Sequence, residues 1–135
     1  MLQAYLEVLT VIHKVYQSVI ENTRRDLGYL GYLDLSPAQG LMLLQIGSQV
    51  LSVKDLTARS YVNGVNPHYN MNSLLLAGYL RAGKDKNDKR HTKIQATEKG
   101  LMVIEQLAEL AEKRLEGLTE KNLKALMAEL RRIGK

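Results

Sequence analysis

Helical periodicity runs through most of the sequence and gives way at one place to the pattern of a β-hairpin. Apolar side chains recur at steps of three, four or seven over residues 2–27, and they cover more than one stripe of that helix. Both prolines follow a residue that caps helices, at Ser36-Pro37 and Asn66-Pro67, and proline fits the first helical position. With glycine stops and with caps at Ser52, Thr97 and Thr119, these signals predict helices over 2–27, 37–46, 53–58, 67–77, 98–116 and 120–133, and strands over 79–82 and 91–96.

The length and the composition exclude several classes of protein. At 135 residues the chain suits one domain, which we expect to span 1–135, and its 45% hydrophobic content excludes general disorder. No apolar run approaches the ~20 residues of a membrane span, and the N-terminus lacks the pattern of a signal peptide. The absence of cysteine excludes disulfides, thiolate chemistry and cysteine-bound zinc. We expect a cytoplasmic protein that makes no contact with membranes.

The order of the predicted elements is that of a winged helix-turn-helix. The helices over 53–58 and 67–77 form the helix-turn-helix, and the hairpin that follows them forms the wing. In this arrangement the second helix enters the DNA major groove, with its N-terminal residues at the base edges. The predicted fold class is therefore mainly α, with a two-stranded β-hairpin wing. The DNA-binding core is expected over 34–97, and dimerisation helices are expected within 1–33 and 98–135.

The excess positive charge is concentrated in the hairpin. Residues 81–99 hold seven basic and three acidic side chains, which accounts for +4 of the chain's total of +5. Such a patch favours a polyanionic partner, because it attracts phosphates, although a solvated charged loop is the plain alternative. The wing residues predicted to contact DNA are Lys84, Lys86, Lys89, Arg90 and His91, and for His91 a solvated position is an equal alternative.

The second helix of the motif has one face suited to reading bases. At about 100° per residue, Pro67, Met71 and Leu74 share the face that packs on the core, while Asn70 lies on the flank and stays unassigned. Asparagine can bond adenine through two hydrogen bonds, and tyrosine or serine can reach phosphates or bases. The residues predicted to contact DNA from this segment are Asn66, His68, Tyr69, Asn72 and Ser73. A solvated polar face, with Asn66 only as a cap, is the alternative.

The middle of the chain resembles the MarR-type multiple-antibiotic-resistance regulators. The matching segments are Leu35-Ser36-Pro37-Ala38-Gln39, Leu74-Leu75-Leu76-Ala77-Gly78-Tyr79-Leu80, Asp85-Lys86-Asn87-Asp88-Lys89-Arg90 and Thr97-Glu98-Lys99-Gly100. The resemblance covers about residues 34–101. It implies that Arg90 lies at the wing tip and enters the minor groove, and that Asp88 braces it. The sequence departs from the family at 66–70, where Asn-Pro-His-Tyr-Asn replaces the usual Ser, Thr and Arg.

The resemblance also implies an obligate homodimer, formed by the first and last helices. The family binds small ligands between these helices and the winged domain, so a small-molecule effector is a further expectation. The tyrosines that are candidates for lining such a pocket are Tyr5, Tyr16, Tyr29 and Tyr32, for which ordinary packing is the favoured alternative.

Taken with the motif order, these features predict a sequence-specific transcriptional regulator. We expect a repressor that binds double-stranded DNA as a homodimer at a pseudo-palindromic operator. The alternative is a dimeric winged-helix module that binds protein, but such a module has no need of a basic wing.

The histidines His13, His68 and His91 lack metal-ligand spacing, and no phosphate-binding glycine loop or Ser-His-Asp order occurs. We therefore expect no enzyme activity, no metal and no cofactor.

Overall fold

The computed structural model describes residues 1–59, 67–87 and 90–134, which fold into helices around a small sheet. The helices are α1 (Leu2–Leu30), α2 (Pro37–Ile46), α3 (Val53–Arg59), α4 (Pro67–Leu76), α5 (Glu98–Arg114) and α6 (Glu120–Ile133). The strands are β1 (Leu51–Ser52), β2 (Leu80–Lys84) and β3 (Thr92–Ala96). They pair antiparallel in the order β1-β3-β2. This confirms the mainly α fold class with a β-hairpin wing.

Side-chain caps start four of the helices where the sequence predicts them. At α2 the Gln39 N–H donates to the Ser36 hydroxyl oxygen over 3.2 Å, and the Ser36 N–H donates to the Gln39 side chain over 3.0 Å. This reciprocal arrangement satisfies two amides that have no partner within the helix. The other caps are Ser52 on the Asp55 N–H at 3.0 Å, Thr97 on the Gly100 N–H at 3.2 Å and Thr119 on the Asn122 N–H at 3.1 Å.

The first helix is longer than the sequence predicts. It passes through Gly28 and ends at Leu30, and the φ of 87° at the following Gly31 lies in the left-handed region. The Gly31 N–H donates to the Gly28 carbonyl oxygen, and the Tyr32 N–H donates to the Leu27 carbonyl oxygen, which closes the helix end. The predicted end at residue 27 was wrong, because one interior glycine costs only about 1 kcal/mol and does not break a long helix.

The sheet differs from the prediction in two ways. The hairpin strands pair from Leu80 opposite Ala96 to Lys84 opposite Thr92, so Lys84 lies in a strand and not in the turn. Strand β1 was not predicted, and it adds Leu51 opposite Ile94 on the other edge of β3. Two residues are too few to show an alternating pattern, which is why the sequence gives no sign of this strand.

Helix α2 lies at the centre of the core and packs on α1, α4 and α5. Gly40 permits this approach, since a Cβ there would lie 3.1 Å from Leu27 Cδ1 and 3.2 Å from Thr23 Cγ2. The most deeply buried side chains are Leu27, Met42, Leu43, Ile46, Leu56, Leu74, Ile94, Val103 and Leu107. They come from the first five helices and from β3, so the core joins the wing, the helix-turn-helix and α5.

The N-terminal part of α1 and all of α6 lie outside this core. No residue of α6 is buried, and most apolar residues in the first five turns of α1 are exposed. The two helices border an apolar groove lined by Ala4, Val8, Val11, Ile12, Val15, Leu126 and Leu130, with Glu7 at its side. Across the ranges that the structure describes, no helix is both long enough and apolar enough to span a bilayer.

Candidate nucleic-acid interface

Helix α4 presents the face that the sequence predicts. Met71 is 6% exposed and Leu74 is 1% exposed, so both pack in the core. Asn70 is 8% exposed, which assigns it to the inward side and answers the question left open by its position on the flank. Tyr69 is 66% exposed and Asn72 is also exposed, so their outward direction is confirmed. On the same helix His68 is exposed and Ser73 is half-buried, at the edge of this face.

Some of the predicted contact residues lie outside the described part of the chain. These are Asn66 and Lys89, and Asp88, which the resemblance implies braces Arg90, also lies outside it. Lys84, Lys86, Arg90 and His91 are all described, and all four side chains are exposed. The wing therefore carries exposed cations on both sides of its turn.

A set of hydrogen bonds joins the end of α4 to the start of α5. Gly78 adopts a φ of 83°, and the Tyr79 N–H donates to the Leu74 carbonyl oxygen over 2.9 Å. The Thr97 hydroxyl donates to the Gly78 carbonyl oxygen over 2.6 Å, and the Thr97 N–H donates to the Tyr79 carbonyl oxygen over 3.1 Å. The glycine and the threonine of the two matching motifs thus meet at one junction, which holds the wing against α4.

Tyr79 anchors this junction from the side of the core. It is 2% exposed, and its hydroxyl donates to Asp34 Oδ2 over 2.9 Å. Burial, followed by the hydrogen bond to the Asp34 carboxylate, raises the pKa of Tyr79 to about 12. The Lys99 ammonium lies 4.2 Å from the centre of the Tyr79 ring and donates to the Ala77 carbonyl oxygen over 2.8 Å. These contacts join residues far apart in the chain, and no local pattern in the sequence predicts them.

Asp85 shapes the beginning of the wing turn. Its N–H donates to the His91 carbonyl oxygen over 3.0 Å, and one carboxylate oxygen accepts the Asn87 N–H over 3.0 Å. The other carboxylate oxygen lies 3.7 Å from the Lys93 ammonium. Asp85 therefore pairs with Lys93 on the strand, while Lys84 and Lys86 on either side of it extend the positive surface toward the turn.

A second polar feature joins α1 to α5. The Arg114 guanidinium donates to the Asp26 carboxylate, whose side chain is 10% exposed, and this hydrogen bond raises the pKa of Arg114. The pair borders a pocket of about 190 Å³ lined mainly by apolar side chains of α1, α2 and α5.

None of the four candidate tyrosines is among the residues that line this pocket. Tyr32 instead donates to Gln106, while Tyr5, Tyr16 and Tyr29 are exposed on α1.

Solved structures of bacterial and archaeal regulators share this fold. The regulator BldR from Sulfolobus solfataricus has a TM-score of 0.71 and 24% identity, and the match covers 97% of each chain. A putative MarR-like regulator from Bacillus cereus has a TM-score of 0.67 and 20% identity, covering 98% of this chain and 96% of that chain. A mutant of MarR from E. coli, solved with operator DNA, has a TM-score of 0.60 and 20% identity, covering 98% and 97%. The chain therefore has the fold of MarR-type winged-helix regulators, and the resemblance seen in the sequence is confirmed.

Among characterised proteins, the chain is similar to a transcriptional activator. The exopolysaccharide II synthesis transcriptional activator ExpG of Rhizobium meliloti is 32% identical over 110 residues, which is 82% of this chain. The match covers 57% of ExpG, so the chain spans little more than half the length of that relative. No protein-family model matches the chain.

Proposed function

We propose that the chain is a DNA-binding transcriptional regulator. The observation that carries the proposal is that two surfaces suited to DNA lie side by side. The exposed polar face of α4 is followed, directly after Gly78, by a basic wing. A helix of this kind suits the major groove, and the wing suits the phosphates and the minor groove beside it. The complex of the MarR mutant with operator DNA, in a protein of the same fold, supports the same partner.

The proposed contacts divide between reading and attachment. Asn72 and Tyr69 point outward from α4, where hydrogen bonds to base edges carry sequence information. Exposed cations of the wing neutralise phosphates, which adds affinity that is independent of sequence. The full set that we propose contacts DNA is Asn66, His68, Tyr69, Asn72, Ser73, Lys84, Lys86, Lys89, Arg90 and His91.

We further propose that the functional unit is a homodimer. The apolar groove between α1 and α6 and the exposed apolar side chains around it require a cover, and a second copy supplies the same surface in return. In this account residues 34–97 form the DNA-binding core, and residues 1–33 and 98–135 supply the dimer contacts. The twofold axis then sets a pseudo-palindromic operator with half-sites about one helical turn apart.

Repression is the mode of regulation that needs the fewest contacts, because a dimer seated on an operator blocks a promoter that the operator overlaps. ExpG is named an activator, so a reporter gene behind the operator is the test of this part. Lower expression in the presence of the chain supports repression, and higher expression overturns it.

We place the protein in the cytoplasm, where its DNA partner is, and propose that a small-molecule effector acts on it. The competing function, a winged module that binds protein, leaves the basic wing without a role.

The direct test is a titration of the full chain with duplex DNA taken from upstream of its own gene, at several salt concentrations. Each phosphate that the protein neutralises contributes roughly 0.9 to the slope of log affinity against log salt. We expect saturable binding that is tighter than to an unrelated duplex, with a slope that reports several phosphate contacts. Binding that is absent, or equal for both duplexes, would refute the proposal.

A further inference from the structure

The segment of the chain that contains α4 carries no formal charge. Between Arg59 and Arg81 the sequence contains no Lys, Arg, Asp or Glu, although the wing that follows is strongly basic. Helix α4 lies wholly within this uncharged segment. Its contribution to DNA binding therefore comes from hydrogen bonds and apolar contact, and the charge that attaches the protein to phosphates lies elsewhere.

Two large apolar side chains follow one line along the outward face of α4. Tyr69 is 66% exposed and Leu76 is 91% exposed. Seven residues separate them, which places them two turns apart, about 10 Å along the axis and only about 20° apart around it. Asn72 lies on the same face between them, while Met71 and Leu74 occupy the buried face. The outward face is thus polar at Asn72, and Tyr69 and Leu76 form an apolar ridge on either side of this amide.

The chemistry of this ridge matches one kind of base pair. Guanine is most often recognised by Arg or Lys, which donate to O6 and N7, and this helix has neither residue. Adenine is recognised by the amide of Asn or Gln, and the C5-methyl group of thymine is recognised by apolar contact. Asn72 provides the first of these contacts, and Tyr69 and Leu76 provide surfaces for the second.

We propose that α4 reads A·T base pairs, with Tyr69 and Leu76 against thymine methyl groups and Asn72 on adenine. The inference rests on the proposed function and deepens it, because it names the base pairs that each half-site must contain. Burying the exposed leucine against a methyl group removes apolar surface from water on both partners, which makes the contact favourable without any charge. The wing then holds the backbone whatever its sequence, and discrimination is left to α4.

The experiment has two stages and uses the full chain. Bound duplexes are first selected from a pool in which one half-site is randomised, and we expect A·T pairs at the positions facing α4. Each thymine of the selected half-site is then replaced in turn by deoxyuridine, which removes the methyl group and keeps the pairing. We expect at least one replacement to weaken binding about fourfold, the effect of one buried methyl group.

Variants assign the methyl contacts to side chains. In Leu76→Ala or Tyr69→Ala the same deoxyuridine replacement should have no effect, because the surface that contacts the methyl group is gone. Val50→Ala is the matched control, since Val50 is 56% exposed, lies before β1, and belongs neither to the residues proposed to contact DNA nor to the segments proposed to form the dimer. It should bind like the unmodified protein and keep the full sensitivity to deoxyuridine.

The outcomes separate this inference from the proposed function. If the unmodified protein selects no DNA at all, the proposed function fails. If it binds a selected duplex but that duplex has G·C pairs opposite α4, the inference is overturned and the proposed function stands. The inference is also overturned if every deoxyuridine duplex binds as well as its thymine parent, or if Leu76→Ala and Tyr69→Ala retain the methyl effect.

Discussion

At Gly100, α5 passes so close to the end of α4 that no Cβ fits. A Cβ at this position would lie 2.1 Å from the Tyr79 carbonyl oxygen, which is main chain and cannot rotate away. That same oxygen accepts the Thr97 N–H, so moving it also breaks the junction that places the wing. The glycine of the Thr-x-x-Gly motif is thus required by close approach of two backbones and not by turn conformation.

We expect Gly100→Ala to lower the free energy of unfolding by about 1–3 kcal/mol, the usual cost of overpacking. Gly28→Ala is the control, because a Cβ there meets nothing within 4 Å inside α1. It should raise stability by about 0.5–1 kcal/mol through better helix propensity. Urea unfolding followed by circular dichroism measures both changes. If the Gly100→Ala variant is as stable as the parent, the two backbones can move apart without loss of stability, and the prediction is wrong.

At the scale of elements, local signals predicted the helices well. Caps act over three residues, so Ser36, Ser52, Thr97 and Thr119 could be located from the sequence, and the structure confirms each one. The ends of helices and strands that depend on a balance between opposing tendencies were harder to predict. Helix α1 passes Gly28 because helical hydrogen bonds on both sides outweigh the propensity cost of one glycine. Strand β1 exists only because β3 offers it an edge, which no local pattern records.

The same division applies to the candidate interface. The 3.6-residue period was sufficient to turn Tyr69 and Asn72 outward and Met71 inward, since burial of one helix face determines the direction of the other. The hydrogen bond that anchors the end of α4 could not be predicted, because Tyr79 pairs with Asp34 across 45 residues. The bond between α1 and α5 escapes prediction for the same reason, because Arg114 pairs with Asp26 across 88 residues. Such partners are brought together by the packing of elements that are far apart in the sequence. The sequence around one residue of a pair does not indicate which residue is its partner.

The whole molecule presents an apolar surface that one chain does not cover. Leu107 is 2% exposed and belongs to the core, whereas Leu126 is 53% exposed beside the groove between α1 and α6. Both α5 and α6 lie in the segment predicted to form the dimer, but of these two helices only α5 contributes to the core within one chain. The burial of Leu126 stays a prediction about the dimer.

These two leucines give a test of assembly. Leu107→Glu should unfold or aggregate the protein, because an unpaired charge would be buried in the core. Leu126→Glu should leave the helix content unchanged and shift the protein from dimer to monomer, because only the groove between subunits is affected. Light scattering with circular dichroism at micromolar concentration measures both. A folded monomer formed by the unmodified chain would contradict the dimer, as would a Leu126→Glu variant that stays fully dimeric.

In the proposed complex α4 reads the bases and the wing binds the phosphates. This arrangement is tested most directly by measuring the affinity of Asn72→Ala and Arg90→Ala for a series of operators that differ by single base pairs. We expect Asn72→Ala to reduce discrimination by about 1–3 kcal/mol at one base pair in each half-site and to have little effect elsewhere. Arg90→Ala should weaken binding to every operator alike, and the salt slope should fall by roughly 0.9 for each phosphate that the variant no longer neutralises. If Asn72→Ala weakens all operators equally, or Arg90→Ala changes neither affinity nor salt slope, the account is contradicted.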